Sequence, residues 1–311
     1  MNIYLIVQKL DKCPDKNGSK VKVTEMGNVV EVQYMSHRNY KQTIQMLPGM
    51  KQYVEVSTGE IKDVTKHDSR ASQQKSLLRT FKTVRGIINA NITDVSKVRW
   101  ITLTYAENMT DTVKLYEDFK NFNKRFQYFC KKNGYGKPEY IVMMEPQGRG
   151  AWHCHLLYIF NLVKAPYISN KTLSDLWGHG FVKISKLDNV DNVGAYLTAY
   201  LGDMDLESCS HDEIVGKELK EVVIEENGLK KSKYYVKGAR LKYYPAKFNM
   251  FRCSRGVKRP VGTYMTQEEA EKKVSAATLT FEKTIKLEDI ENDFETIINT
   301  RYYNLIRKNN Q

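Results

Sequence analysis

Trp152-His153-Cys154-His155-Leu156-Leu157-Tyr158-Ile159-Phe160 places two histidines, one residue apart, inside an otherwise apolar run. The run has the composition of a buried strand, and residues two apart on a strand point the same way. His153 and His155 therefore share one face, with Cys154 on the other. Two satisfied core histidines are the plain alternative, but burying two unliganded imidazoles is costly. A bidentate clamp for a metal ion accounts for the pair better.

The neighbouring sequence supplies the rest of a fold. Val98 to Tyr105 (V-R-W-I-T-L-T-Y) alternates as a strand. Thr112 to Lys132 reads as an amphipathic helix, with Tyr116, Phe119, Phe122, Phe126 and Phe129 at steps of three and four and Gly134 as a left-handed stop. Tyr140 to Met144 is a buried strand, Pro146 to Ala151 a turn, and the histidine run the returning strand. Lys171 to Trp177 is a short helix closed by Gly178, Phe181 to Ser185 a fourth strand, and Asn189 to Leu201 a further helix. The order β-α-β-β-α-β is the ferredoxin-like split βαβ pattern, an α+β fold with an antiparallel sheet. Helices cover one sheet face. The other stays free for a ligand and for the trailing helix.

A third metal ligand can be sought by register. If Gly148-Arg149-Gly150 is a three-residue loop closed by Gln147 and Ala151, Glu145 lies opposite His153 and shares its face. A shift of one residue would turn it away; Glu107, Asp203 and His179 are the alternatives. Two neutral imidazoles and a carboxylate with open positions suit Mn²⁺ or Mg²⁺ acting on a phosphoryl oxygen. Val193 to Asp203 (V-G-A-Y-L-T-A-Y-L-G-D) offers a nucleophile. Tyr196 and Tyr200, four apart, stand on one helix face. By spacing alone they are an ordinary packing stripe, but their helix follows directly on the fourth strand and can lie over the histidine face. A phenol has a pKa near 10 and attacks well only when its anion is stabilised.

Composition narrows the partners. The 311 residues carry 49 Lys and Arg against 36 Asp and Glu, a formal charge of +13, which favours a polyanion. The five cysteines are scattered without a C-x-x-C pair. This excludes a zinc ribbon and fits reduced thiols in the cytoplasm. The opening M-N-I-Y-L-I-V-Q-K-L lacks the pattern of a signal peptide, and no apolar run approaches a membrane span. There is no P-loop, so a motor must come from a partner. Arg240, Lys242, Lys247, Arg252, Arg255, Lys258 and Arg259 lie in a short stretch with Tyr243, Tyr244, Phe248 and Phe251 among them. Cations interleaved with aromatics suit single-stranded DNA, and a solvated basic face with packed aromatics is the plain alternative. The domain plan is residues 1–95 as an N-terminal extension of hairpins (one around Thr58-Gly59) plus a helix, 96–205 as the core, and 206–311 as a basic hairpin region. From Thr266, where T-Q-E-E reads as a capping box, mixed-charge helices are expected.

Three stretches together resemble the motifs of HUH endonucleases: I-T-L-T-Y-A-E-N from Ile101, E-P-Q-G-R-G-A-W-H-C-H-L-L from Glu145, and N-V-G-A-Y-L-T-A-Y-L from Asn192. In order and spacing they are similar to the Rep initiators of rolling-circle replication, above all those of small plasmids and integrated elements of Gram-positive bacteria. W-G-H-G-F-V-K-I and C-S-R-G-V-K-R-P resemble the same family. The motifs span about residues 98–205. The resemblance implies a ferredoxin-like core, a Mn²⁺ or Mg²⁺ ion, and sequence-specific nicking of single-stranded or hairpin origin DNA. It also implies a host helicase and replication machinery as partners. Residue by residue, it makes His153 and His155 metal ligands, Tyr196 the nucleophile, Tyr200 the second tyrosine and Glu145 the preceding acidic residue. Many members carry Lys one residue before the second tyrosine, where this chain has Ala199. Lys183 and Lys186 are candidates to replace it, and Arg149, Arg252, Arg255, Lys258 and Arg259 are candidate DNA contacts.

Competing readings differ in what they require. A two-tyrosine HUH transposase or a relaxase would share the chemistry, but a relaxase usually adds a third histidine soon after the pair. A non-catalytic nucleic-acid binder would carry aromatics on the central strands, where this chain has His153 and His155. A structural zinc site needs four clustered ligands.

Overall fold

The computed structural model describes residues 5–13, 19–38, 42–64, 74–148, 150–187, 194, 203–209, 214, 219–226, 229–236, 238–290 and 293–306. Two compact units emerge: Met1–His67 together with Val261–Gln311, and Asp68–Pro260. The boundaries drawn from composition, at 95 and 205, both fall inside the second unit. The described residues form an α+β structure with antiparallel sheets and four helices.

In the first unit β1 (Leu5–Leu10), β2 (Lys20–Met26), β3 (Val29–Met35), β15 (Gly262–Thr266), β16 (Thr278–Asp289) and β17 (Phe294–Asn304) form one sheet in the order β1-β16-β17-β3-β2-β15. Val21, Val23, Val30 and Val32 pack with Ala270 and Val274 of α4 (Gln267–Val274). Thr266 and Glu269 close the expected capping box. The helices expected beyond it are instead the two long strands β16 and β17. Their sequences are dense in Thr, Ile and Tyr, and β-branched and aromatic residues favour a pleated surface whatever the charge mixture. The expected hairpin at Thr58-Gly59 is present. It joins β5 (Gln52–Glu55) and β6 (Ile61–Asp63) beside β4 (Ile44–Met46), with Gly59 at φ 74°.

The second unit is built on a five-stranded sheet. It contains β7 (Val98–Thr104), β8 (Glu139–Pro146), β9 (Trp152–Ile159), β10 (Val182–Ser185) and β14 (Phe251–Cys253), in the order β10-β7-β9-β8-β14. Every neighbouring pair is antiparallel. Helix α2 (Thr112–Lys132) is capped by Asp111, whose carboxylate accepts the Val113 and Lys114 N–H groups, and Gly134 at φ 76° ends it. Its Leu115, Phe119, Phe122 and Phe126 are buried against Ile101, Leu103, Val142, Met144, Cys154, Leu156 and Tyr158. Each such aromatic contributes roughly 1.5–3 kcal/mol by leaving water. Helix α3 (Asn170–Trp177) adds Leu173 and Trp177 to that core and stops at Gly178.

The opposite sheet face was expected to stay free, but α1 (Gln74–Asn91) covers part of it. Val84, Ile87 and Ile88 pack on Val98, Ile141, Met143, Leu157 and Ile159. The apolar half of that face demands a cover, and the half carrying the histidines does not. A smaller sheet, β11 (Met204–Asp205), β13 (Leu229–Val236) and β12 (Leu219–Glu226), follows in that spatial order. No helix among the described residues is long and apolar enough to cross a membrane.

Candidate active site

The turn between β8 and β9 sets the site. The Gln147 N–H donates to the Ala151 carbonyl (2.7 Å) and the Gly150 N–H to Gln147 (2.8 Å). Gly150 lies at φ 86°, a conformation that suits glycine and strains most other residues. The resulting register puts Glu145 opposite His153 and Met143 opposite His155. On the other side, Thr104 pairs with His153 and Thr102 with His155. Trp152, pointing the other way, holds the start of β9. Its backbone N–H donates to Met109 and its indole N–H to Thr110, and its ring stacks on Phe248 at 4.6 Å.

Glu145 and His155 meet on this face, Oε2 to Nε2 at 3.4 Å, while the His153 and His155 ring centroids are 6.2 Å apart. The Thr102 hydroxyl lies 3.3 Å from His155 Nδ1. Burial lowers the His155 pKa to about 4, so the ring is neutral at pH 7. The contact with Glu145 is thus a hydrogen bond rather than an ion pair. It suits an Nε2–H donor, with Nδ1 accepting from Thr102. The counter-ion of Glu145 is Arg240, whose guanidinium pairs directly with Oε1. Arg240 also donates to the Pro146 carbonyl (3.1 Å) and to the Asp203 carbonyl (3.0 Å). Burial lowers the Arg240 pKa from its ordinary value.

Neutral imidazoles and a carboxylate on one face are the right donor types for a divalent ion. Among the described residues, however, no three donors converge on one point, and one oxygen of Glu145 is engaged by Arg240.

Of the alternative third ligands, Asp203 comes nearest to the site, through its carbonyl on Arg240; its carboxylate accepts the Gly238 N–H. His179 lies on the α2 side, where its Nε2 is 3.3 Å from Asp118 and its ring packs against Tyr105 and Trp177. Glu107 is exposed. Tyr196, Tyr200, Ala199 and Arg149 lie outside the described residues, as does the helix expected over 189–201 apart from Gly194. The Gly194 N–H donates to Asn89 Oδ1 on α1 (2.8 Å). A Cβ there would stand 2.4 Å from the Arg85 carbonyl oxygen.

Lys183, paired with Thr102, shares the histidine face, and Lys186 is exposed just beyond β10. Arg252 faces the other way, stacked at 3.7 Å on Tyr116. Arg255, Lys258 and Arg259 are exposed; Arg259 reaches Cys253, and the Lys258 backbone is held by the Asn91 amide in both directions. The interleaved aromatics are packing residues. Tyr244 and Phe248 are buried with Trp152, and Phe251 packs on the α1 side of the sheet. Arg240, grouped by sequence with surface cations, is the one that structure moves into the site. No periodicity marks it, because its partners lie 37 or more positions away.

Residues 98–205, spanning β7 to β11, match the family model of the replication-associated protein ORF2. The match supports a replication initiator family for this stretch. No curated protein matches the chain.

Proposed function

We propose that this chain is a rolling-circle replication initiator of the HUH endonuclease type, which nicks one DNA strand at a specific site and later rejoins it. The observation that carries the reading is the register that sets Glu145 opposite His153, with His155 on the same face, inside the stretch that matches the replication-associated model. The strand order β10-β7-β9-β8, with α2 and α3 on one face, agrees with a ferredoxin-like core.

His153, His155 and Glu145 are the residues to hold Mn²⁺ or Mg²⁺. Bound there, the ion would polarise the scissile phosphodiester as a Lewis acid. Tyr196 is the attacking group. Its phenolic oxygen bonds to phosphorus, the bond from phosphorus to the 3′-oxygen breaks, and the proton lost by the phenol ends on the 3′-hydroxyl. The product is a 5′-phosphotyrosine that keeps the energy of the diester, so the 3′-hydroxyl can reverse the step without ATP. Tyr200 allows a second transfer while Tyr196 still holds a strand. Thr102 orients His155. Arg240 balances the Glu145 charge and ties it to Asp203, close behind the tyrosine segment. A host helicase opens the duplex, since the chain carries no P-loop, and the reaction belongs in the cytoplasm.

The test is cleavage. Single-stranded oligonucleotides tiling the replicon that encodes the chain are incubated with Mn²⁺. One discrete nick is expected, abolished by EDTA and by His153→Ala. Binding to these oligonucleotides without any cleavage would leave only a nucleic-acid binder.

A further inference from the structure

We infer that Phe181 is a stacking platform for an unpaired base beside the reacting phosphate, with Lys183 as its companion phosphate contact. The inference rests on the reading of the histidine face as a nucleic-acid site.

A single exposed apolar residue is ordinary and by itself means nothing. The position of Phe181 is what gives it content. Val182 and Ile184 turn toward the α2 side and pack with that core. Strand alternation then turns Phe181, Lys183 and Ser185 to the histidine face. The Thr104 N–H donates to the Phe181 carbonyl (2.9 Å), which continues the register of β10 on β7 by one residue. Thr104 is itself opposite His153, and His153 is opposite Glu145. One row therefore crosses the sheet as Phe181, Thr104, His153, Glu145. Beside it runs a second row of Lys183, Thr102, His155, Met143.

Two interstrand spacings separate Phe181 from His153, about 10 Å between their backbones. The Phe181 ring is 70% exposed, while neighbouring aromatics such as Trp177 and Tyr105 are buried. Burying so large an apolar side chain is favourable, so an exposed one at the rim of a polar site is available to a flat ligand. Lys183 and Lys186, both exposed, give the rim a positive charge that complements a phosphate backbone. A base has a π-face whatever its identity, so such a platform tolerates sequence variation. A ring beside a line of cations matches single strands better than duplex, whose bases are already stacked.

The experiment measures binding of the full-length protein to a fluorescein-labelled, random-sequence single-stranded oligonucleotide by anisotropy, in EDTA so that no cleavage occurs. Phe181→Ala is expected to weaken binding by roughly 5- to 150-fold. Phe181→Tyr should restore it, and Phe181→Leu, which keeps apolar bulk without a ring face, should not. Lys183→Ala should reduce the slope of log K against log salt by about 0.7. Because Phe181 is exposed, these variants keep their core, which the tryptophan emission verifies. Unchanged binding by Phe181→Ala, full rescue by Phe181→Leu, or an equal loss on duplex of the same length would each overturn the inference. Failure of the nuclease reading looks different: no nick with any oligonucleotide, while the Phe181 series still orders as expected. Nicking that survives while Phe181→Ala binds normally sinks the platform alone.

Discussion

Replacing Arg240 with methionine keeps the aliphatic stem and removes the charge, leaving the Glu145 carboxylate buried without its counter-ion. The side chains of Glu145 and Arg240 are 8% and 13% exposed, so the discount that applies to surface ion pairs does not apply here. Breaking such a pair by removing one partner costs about 3–5 kcal/mol, most of it the penalty of the abandoned charge. The double variant Arg240→Met/Glu145→Gln removes that penalty. What remains is the loss of two donations, to Pro146 and Asp203, at about 1 kcal/mol each. The double variant should therefore be more stable than Arg240→Met by roughly 1–3 kcal/mol. The assay is urea unfolding followed by tryptophan emission. The protein has 3 tryptophans, and Trp100, Trp152 and Trp177 all lie in the unit Asp68–Pro260, so the signal reports that unit by itself. With a slope near 2–3 kcal/mol per molar urea, Arg240→Met should lower the midpoint by about 1–2 M. A shift under about 0.3 M, or a double variant as unstable as the sum of the singles, would refute the argument that Arg240 is the counter-ion of Glu145.

Three further outcomes follow from the packing. Gly194→Ala should displace its segment from α1, because the new Cβ would press on the Arg85 carbonyl and Asn89 Oδ1 at 2.4 and 2.7 Å; nicking should fall well before tryptophan emission changes, and a fully active variant would contradict this. The pKa of His155 is depressed from 6.5 to about 4, so its contribution to stability is present above pH 6.5 and is lost as pH falls toward 4. In EDTA, wild type should lose up to about 3 kcal/mol more across that range than His155→Asn, and parallel pH profiles would rule the ring out as the cause. Burial raises the Cys154 thiol and pushes Cys130 up to about 12, so N-ethylmaleimide on the native protein should modify Cys13, Cys209 and Cys253 first. Early labelling of Cys154, followed by intact mass and peptide mapping, would mean that the core opens readily.

Local chemistry made the centre of the second unit legible. The aromatic spacing of α2, the glycines at 134, 150 and 178, and the H-x-H alternation are signals carried by neighbouring residues. The tight turn then transmitted the register from one strand to the next, which is why Glu145 could be set opposite His153 from sequence alone. What was missed depends on distant partners. The pairing of β1 and β3 with β16 and β17 joins the two ends of the chain, and composition is blind to it. Mixed charge in β16 concealed a two-residue alternation. Tyr244 and Phe248 look like DNA contacts when they are read beside their lysines. They become core once Trp152 lies against them. Arg240 escaped for the same reason, because its role exists only where Pro146 and Asp203 meet.

The central claim is a covalent bond between this protein and DNA. The full-length chain is incubated with Mn²⁺ and single-stranded DNA from its own replicon, with an EDTA control. It is then digested, and any nucleotide-bearing peptide is located by mass spectrometry. The account predicts a metal-dependent adduct on Tyr196 or Tyr200. Tight DNA binding with no adduct on either tyrosine would contradict it.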